Sequence, residues 1–134
     1  MPRTAVAVIA TLLSMGALDA IWLGTMTSRL YRKQLSGLLL DTPSWAPALA
    51  FYLLYAVGVV VLLVRPALEG EWPLGRVVAV GALLGLVAYG TYDLTNQATV
   101  RGWSVIVTAV DMAWGASLTA VVAAIAVTAA RRFS

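Results

Sequence analysis

Four runs of apolar residues, separated by short polar segments, divide the chain. They cover residues about 4–27, 46–64, 77–95 and 103–130. Each approaches or exceeds the roughly 20 residues that an α-helix rising about 1.5 Å per residue needs to cross a bilayer. Because hydrocarbon offers no water to backbone groups, such a run crosses the membrane as a helix. The pattern predicts an all-α fold, a four-helix transmembrane bundle that forms a single integral membrane domain over residues 1–134.

The first run has a second interpretation, because Arg3 followed by an apolar stretch also resembles a secretory signal peptide. The apolar character continues through Ile21-Trp22-Leu23-Gly24, which makes the run long enough to span. The small residues Ala17 and Ala20 also lack the spacing of an A-x-A cleavage site. We therefore expect a retained membrane helix.

Prolines lie at both ends of the second run. Pro47 suits the first turn of its helix, and Arg65-Pro66 is expected to end that helix. All five prolines are expected to lie outside helix interiors.

The connection over residues 27–45 contains a basic and apolar segment, residues 28–35. An amphipathic helix in the membrane interface and a solvated loop are both compatible with that segment.

The composition supports a membrane protein and removes several kinds of chemistry. The chain is 61% hydrophobic and 11% charged, with a mean hydropathy of +0.89. Soluble domains contain roughly 45–50% apolar residues. There is no Cys and no His, so thiolate nucleophiles, imidazole bases and the usual zinc, copper and haem ligands are excluded. We predict no cofactor and no metal.

The basic residues indicate lipid as the partner. The net charge is +3, and the nine Lys and Arg residues flank the apolar runs, which favours contact with lipid headgroups and no nucleic acid. The side of the membrane that holds both termini carries five of them and the other side carries four. The positive-inside rule then favours termini in the cytoplasm. The expected location is a bacterial cytoplasmic (inner) membrane.

Three acidic residues are unexpected because they lie in the apolar runs: Asp19, Asp93 and Asp111. A central Asp costs about 2.5–3.5 kcal/mol on membrane-insertion scales. Asp19 precedes the end of the first run by eight residues and Asp111 follows the start of the fourth by eight. At about 1.5 Å per residue, both lie roughly 12 Å from the same side of the membrane. Asp93 approaches that side too, so three carboxyl groups are expected in one half of the bilayer.

The residues around these acids repeat a pattern. Asp19 and Asp111 are each followed three positions later by a Trp, which shares a helix face with the acid. Tyr and Asn residues surround Asp93, and Tyr52 and Tyr55 of the second run are expected to complete the site. The predicted binding pocket consists of Asp19, Trp22, Tyr89, Tyr92, Asp93, Asn96, Asp111 and Trp114. The alternative is structural: the same acids, protonated or hydrogen-bonded, fix the register of the bundle.

Small residues indicate where helices come close. Gly81 and Gly85 form a G-x-x-x-G pair, and Ala109 and Ala113 form a weaker pair of the same spacing. Such pairs allow the backbones of membrane helices to approach. They predict close packing and imply no partner.

Four segments together resemble a known family. They are Leu18-Asp19-Ala20-Ile21-Trp22-Leu23-Gly24, Phe51-Tyr52-Leu53-Leu54-Tyr55-Ala56, Ala88-Tyr89-Gly90-Thr91-Tyr92-Asp93-Leu94-Thr95-Asn96 and Asp111-Met112-Ala113-Trp114-Gly115. In this order they resemble a bacterial family of predicted membrane proteins, domain of unknown function family 2177. The resemblance covers nearly the whole chain and implies a four-helix membrane protein without an established activity.

Three function classes stay open. The first is binding or transport of a small molecule, an ion or a lipid at the pocket. The second is a non-catalytic accessory subunit of a larger membrane complex, and the third is a membrane enzyme acting on a lipid. The absence of His and Cys favours a protein that is not an enzyme. Besides the lipid bilayer, a homo-oligomer or a larger membrane complex is left open as partner.

Overall fold

The computed structural model describes residues 2–39 and 44–134 of the chain. Its long helices are α1 (Arg3–Gln34), α2 (Trp45–Glu69), α3 (Leu74–Thr99) and α4 (Val105–Phe133). All four are long and apolar enough to cross a membrane, and the described residues contain no strand. The prediction of an all-α fold with four transmembrane helices is confirmed.

Helices α1 and α2 extend well beyond the C-terminal ends of their predicted runs, and each contains a π turn. Helix α1 continues through the π turn Thr27–Tyr31 to Gln34, so residues 28–34 of the longest connection are helical. Helix α2 passes through the π turn Val60–Val64 and ends at Glu69. The expectation that α2 ends at Arg65-Pro66, with Pro66 outside the helix, is therefore wrong.

The π turn explains how α2 accommodates Pro66. A proline has no N–H to donate, and its ring crowds the preceding turn of an α-helix. In the π turn, the N–H of Arg65 instead bonds to the carbonyl of Val60, five residues back. This wider turn directly before Pro66 gives the ring room, so the helix continues.

The half of the bundle that holds the termini is closely packed. Its core consists of small and branched apolar side chains that interlock between the four helices, with side chains from every helix fully buried. The principal members are Ala7 of α1, Leu63 and Val64 of α2, Val77 of α3, and Ala123, Ala126 and Val127 of α4. The connection between α2 and α3 is fixed to this half, since Arg131 donates to the carbonyl of Trp72 at 2.7 Å.

Helices α3 and α4 meet backbone to backbone. A Cβ atom on Gly81 would lie 2.9 Å from the Cα of Ala120, and one on Gly85 would overlap the carbonyl of Gly115. A Cβ on Gly115 would in turn overlap the ring of Tyr89. The close approach predicted from the G-x-x-x-G pair is therefore confirmed, and α4 is the helix on the other side of it.

The other half of the bundle is open on the side of α2. Residues 44–51 of this helix and its N-terminal flank are exposed. Helix α2 first bonds to its neighbours at Tyr52, whose hydroxyl donates to the carbonyl of Leu12 on α1. One turn later, the hydroxyl groups of Tyr55 and Thr119 on α4 are hydrogen-bonded at 2.7 Å. The first two turns of α2 thus leave a space between this helix and α1.

The contact between α3 and α4 gives a first prediction. We expect Gly85→Ala to lower the free energy of unfolding by about 1–3 kcal/mol, because the added methyl group forces the two backbones apart. The matched control is Gly58→Ala on α2, where a Cβ meets nothing within 4 Å. That variant should be as stable as the native protein or slightly more so, since Ala favours helix. Denaturation in mixed micelles followed by circular dichroism measures both, and equal stability of the two variants would contradict the packing described.

Candidate functional site

A cavity of about 790 Å³ occupies the open half of the bundle. All four helices contribute to its wall. Most of the wall is apolar or aromatic, with leucines of α1 and of the following connection facing Trp45, Leu49 and Phe51 of α2. The acidic side chains Asp19 and Asp111 and the phenol of Tyr31 make one part of the wall polar. The cavity thus combines a large apolar surface with a small polar region.

Six of the eight residues that the sequence assigned to a pocket line this cavity. They are Asp19, Trp22, Tyr89, Tyr92, Asp111 and Trp114, and Tyr52 and Tyr55 of α2 line it as well. Asp93 lies behind the wall and is completely buried. Asn96 is half-buried on α3 outside the wall, and its side chain forms no hydrogen bond with the described residues.

The two Asp-x-x-Trp segments bond to each other across the interface between α1 and α4. The indole rings of Trp22 and Trp114 stack with their centroids 4.3 Å apart and their planes within 6°. The indole N–H of Trp114 donates to Oδ1 of Asp19 at 3.3 Å. Each Trp was expected to share a face with the acid of its own helix. In the structure, Trp114 donates its hydrogen bond to Asp19, the acid of the opposite helix.

The connection in the other direction runs through Tyr31. Its hydroxyl donates to Oδ1 of Asp111 at 2.7 Å and accepts from the indole N–H of Trp22 at 2.9 Å. Both indoles are therefore linked to the acid of the opposite helix, one directly and one through a phenol. Asp19 and Asp111 each receive a neutral donor, so hydrogen bonds stabilise both acids while their charge stays uncompensated by these contacts.

Sequence reasoning missed Tyr31 because it ended the first helix at residue 27 and because the π turn changes the direction of the side chains beyond that point. Tyr31 follows Trp22 by nine residues, and an uninterrupted α-helix would place the two side chains about 180° apart around its axis. The π turn Thr27–Tyr31 adds a residue to one turn and changes this phase. No residue in the segment signals the turn, so the pattern alone could not have assigned Tyr31 to the site.

Asp93 is buried in an unusual state. Its side chain is 0% exposed, and neither carboxyl oxygen has a hydrogen-bond partner in the part of the chain that the structure describes. It faces the carboxyl group of Asp111 across the interface between α3 and α4. Nearly all buried polar groups in proteins have a partner. Asp93 and Asp111 therefore form a pair of acids, and a proton held between them would supply the hydrogen bond that no other described group gives Asp93.

A layer of hydrogen-bonded polar side chains lies one helical turn beyond Asp93. The side-chain amide in this layer belongs to Gln97. The hydroxyl of Thr108 donates to Oε1 of Gln97 at 2.8 Å and accepts from the indole N–H of Trp103 at 3.1 Å. Nearby, the hydroxyl of Ser104 donates to Gln34 at the end of α1, at 2.9 Å. The spacing of four residues from Asp93 to Gln97 puts both on one helix face. That spacing is the signal that favours Gln97 over Asn96.

The described side chains around the cavity determine what chemistry it can offer. Within residues 2–39 and 44–134, no group of three or more His, Cys, Asp or Glu side chains is arranged to hold a metal ion. Asp19 and Asp93 both lie close enough to Asp111 to interact with its charge. The basic residue in the wall is Arg32. The described side chains supply charge, hydrogen bonds and aromatic surface to the cavity, and no activated nucleophile.

The fold and the cavity define the class: an integral membrane protein whose four apolar helices enclose an acidic and aromatic site. A family model assigns the chain more closely. The model described as "Predicted membrane protein (DUF2177)" matches residues 4–128, so the chain belongs to that family, as its sequence resemblance indicated. A search of curated proteins and a search of solved structures found no match.

The phenol between the two helices gives a second prediction. Tyr31→Phe keeps the ring and removes the hydroxyl that joins Trp22 to Asp111. We expect it to lower the free energy of unfolding by about 0.5–2 kcal/mol, the value of a hydrogen bond to an acid in a membrane protein. The control is Tyr92→Phe, since the hydroxyl of Tyr92 forms no hydrogen bond with a described residue. Circular dichroism in mixed micelles measures both, and a Tyr31→Phe variant as stable as Tyr92→Phe would refute the role of this hydroxyl.

Proposed function

We propose that the protein binds an amphipathic molecule of the membrane in the cavity between α1 and α2. The observation that carries the proposal is the make-up of the wall, which is apolar and aromatic except where Asp19, Asp111 and Tyr31 meet. An apolar chain would lie along the leucines and Phe51. A polar head would lie at the acids and the phenol.

The size of the cavity supports this function. Sites for small molecules and cofactors enclose about 300–1,000 Å³ and are lined mainly by apolar and aromatic groups with a few polar ones. The volume of about 790 Å³ and the composition of the wall fall within that description. Binding requires no catalytic group, which agrees with the chemistry of the described side chains.

The position of the cavity supports entry from the bilayer. The exposed side chains of Trp45, Leu49 and Phe51 line the cavity and belong to the part of α2 that precedes its first bond to α1. An apolar molecule in the hydrocarbon could therefore pass between the two helices without crossing a polar surface. Transport, catalysis and a role as accessory subunit have no comparable support among the described residues.

Filling the cavity gives a third prediction. We expect Ala48→Trp to abolish labelling of the cavity by amphiphiles that carry a photoreactive diazirine in a hexadecyl chain, because the indole would occupy the space beside Leu49 and Phe51. The protein would be in vesicles of digalactosyldiacylglycerol, with the labelled peptides identified by mass spectrometry. Ala50→Trp is the matched control, since Ala50 is exposed on the same helix and does not line the cavity.

The native protein and Ala50→Trp should be labelled on residues of the cavity, and an excess of the same amphiphile without a diazirine should suppress that labelling. If no probe labels the cavity of the native protein, whatever the charge of its head, the proposed function is wrong. Equal labelling of the Ala48→Trp and Ala50→Trp variants would also contradict it.

We further propose that both termini lie in the cytoplasm of a bacterial cell, with the protein in its inner membrane. The support for this orientation is the excess of one basic residue on the side of the termini. The chain has no Cys, so single cysteines report on their own positions. We expect an impermeant maleimide to label Ser36→Cys in intact cells and Ser134→Cys only after the membrane is permeabilised. The reverse result would invert the orientation, and labelling of both in intact cells would contradict four spans.

A further inference from the structure

We infer that the head of the bound amphiphile is an organic cation, an ammonium group that carries an apolar chain. The inference rests on the proposed function and adds the chemical class of the ligand. It follows from the acids in the wall, from the buried acid behind them and from the aromatic rings around them.

The charge of the wall favours a cation. Asp19 and Asp111 line the cavity together with one basic side chain, Arg32. The hydrogen bonds from Trp114 to Asp19 and from Tyr31 to Asp111 come from neutral donors. They orient the two carboxyl groups without supplying a positive charge, and in a medium of low dielectric an ionised carboxylate attracts a cation strongly. An anionic head would meet the same acids at a cost.

Asp93 adds an independent observation. It is 0% exposed, no N–H or hydroxyl group of the described residues donates to its carboxyl oxygens, and it faces the carboxyl group of Asp111. Two carboxyl groups held side by side in the membrane favour a state in which one of them keeps its proton, so the pair carries a single negative charge. A bound cation next to Asp111 would lower the cost of holding two acids side by side in the membrane.

The rings around the acids suit an alkylated ammonium group. Tyr52, Tyr55, Tyr89 and Tyr92 line the cavity together with the stacked indoles of Trp22 and Trp114. Aromatic faces attract cations through the negative potential of their π systems, and groups of such rings recognise quaternary ammonium ions. A methylated ammonium ion needs no hydrogen-bond acceptor from the wall, so ring faces and carboxyl groups together are sufficient to bind it.

The experiment compares three heads on one chain. Diazirine-bearing hexadecyl probes with a trimethylammonium, a glucoside or a sulfate head are presented at equal mole fraction in digalactosyldiacylglycerol vesicles. We expect the cation to label the cavity of the native protein at least about tenfold more than the sulfate, and also more than the glucoside. Asp19→Asn and Asp111→Asn should each reduce this preference about tenfold, the effect of one lost charged contact.

Glu71→Gln is the matched control for the acid variants. It removes an exposed carboxyl group in the connection between α2 and α3 with the same change of atoms. This variant should retain the preference for the cation, and circular dichroism should show that all three variants are folded. If an acid variant fails to fold, competition between the trimethylammonium and glucoside probes for the cavity of the native protein still tests the inference.

The outcomes separate the inference from the proposed function. Labelling of the cavity by the glucoside or the sulfate as strongly as by the cation would overturn the inference and leave the proposed function standing. Labelling by none would overturn both. Competition by dioleoylphosphatidylcholine would support the inference with a lipid headgroup as the source of the cation. Competition by hexadecyltrimethylammonium alone would support it with a free lipophilic amine as the source.

Discussion

The arrangement of the bundle depends on the crossed bonds between the two Asp-x-x-Trp segments. An acid in hydrocarbon is costly unless it finds a donor, and here the donor for Asp19 comes from α4 while the donor for Asp111 comes from the far end of α1. The stacked indoles of Trp22 and Trp114 fill the space between them. These contacts fix both the relative depth and the rotation of α1 and α4. A shift of either helix by one residue would separate both acids from their donors.

The cavity follows from a contrast between the two halves of the bundle. In the half with the termini, alanines and valines fill the interior, and all four helices can come close. In the other half the interior is occupied by indoles and phenols, which hold α2 away from α1 except where Tyr52 reaches the carbonyl of Leu12. Gly85 and Gly115 keep α3 against α4 at the same time. The space therefore opens on the side of α2, next to the acids.

The sequence predicts the helices and the depth of the acids, because both follow from regular spacing along single helices. Runs of apolar residues identify four spans, and eight-residue offsets place Asp19 and Asp111 at one level. Partners across helices do not follow from spacing within one helix, so Trp114 could not be assigned to Asp19. The π turn that brings Tyr31 to Asp111 has no marker in the sequence. Pro66 marks the position of the other π turn, but a proline more often ends a helix than continues it. Gln97 could have been chosen over Asn96 from its spacing to Asp93.

A purely structural role accounts for Asp19 and Asp111 but does not account for the burial of Asp93. Locking α1 against α4 requires Oδ1 of Asp19 and Oδ1 of Asp111, and both are used in that way. The contact between α1 and α4 does not require Asp93, to whose oxygens no described N–H or hydroxyl group donates. It also does not require a cavity of about 790 Å³ beside it. An apolar residue in place of Asp93 would pack between α3 and α4 without the cost of burying an acid. Because Asp93 faces the carboxyl group of Asp111, a proton held between the two acids would give Asp93 a partner, and the proposed cation beside Asp111 would stabilise the pair further.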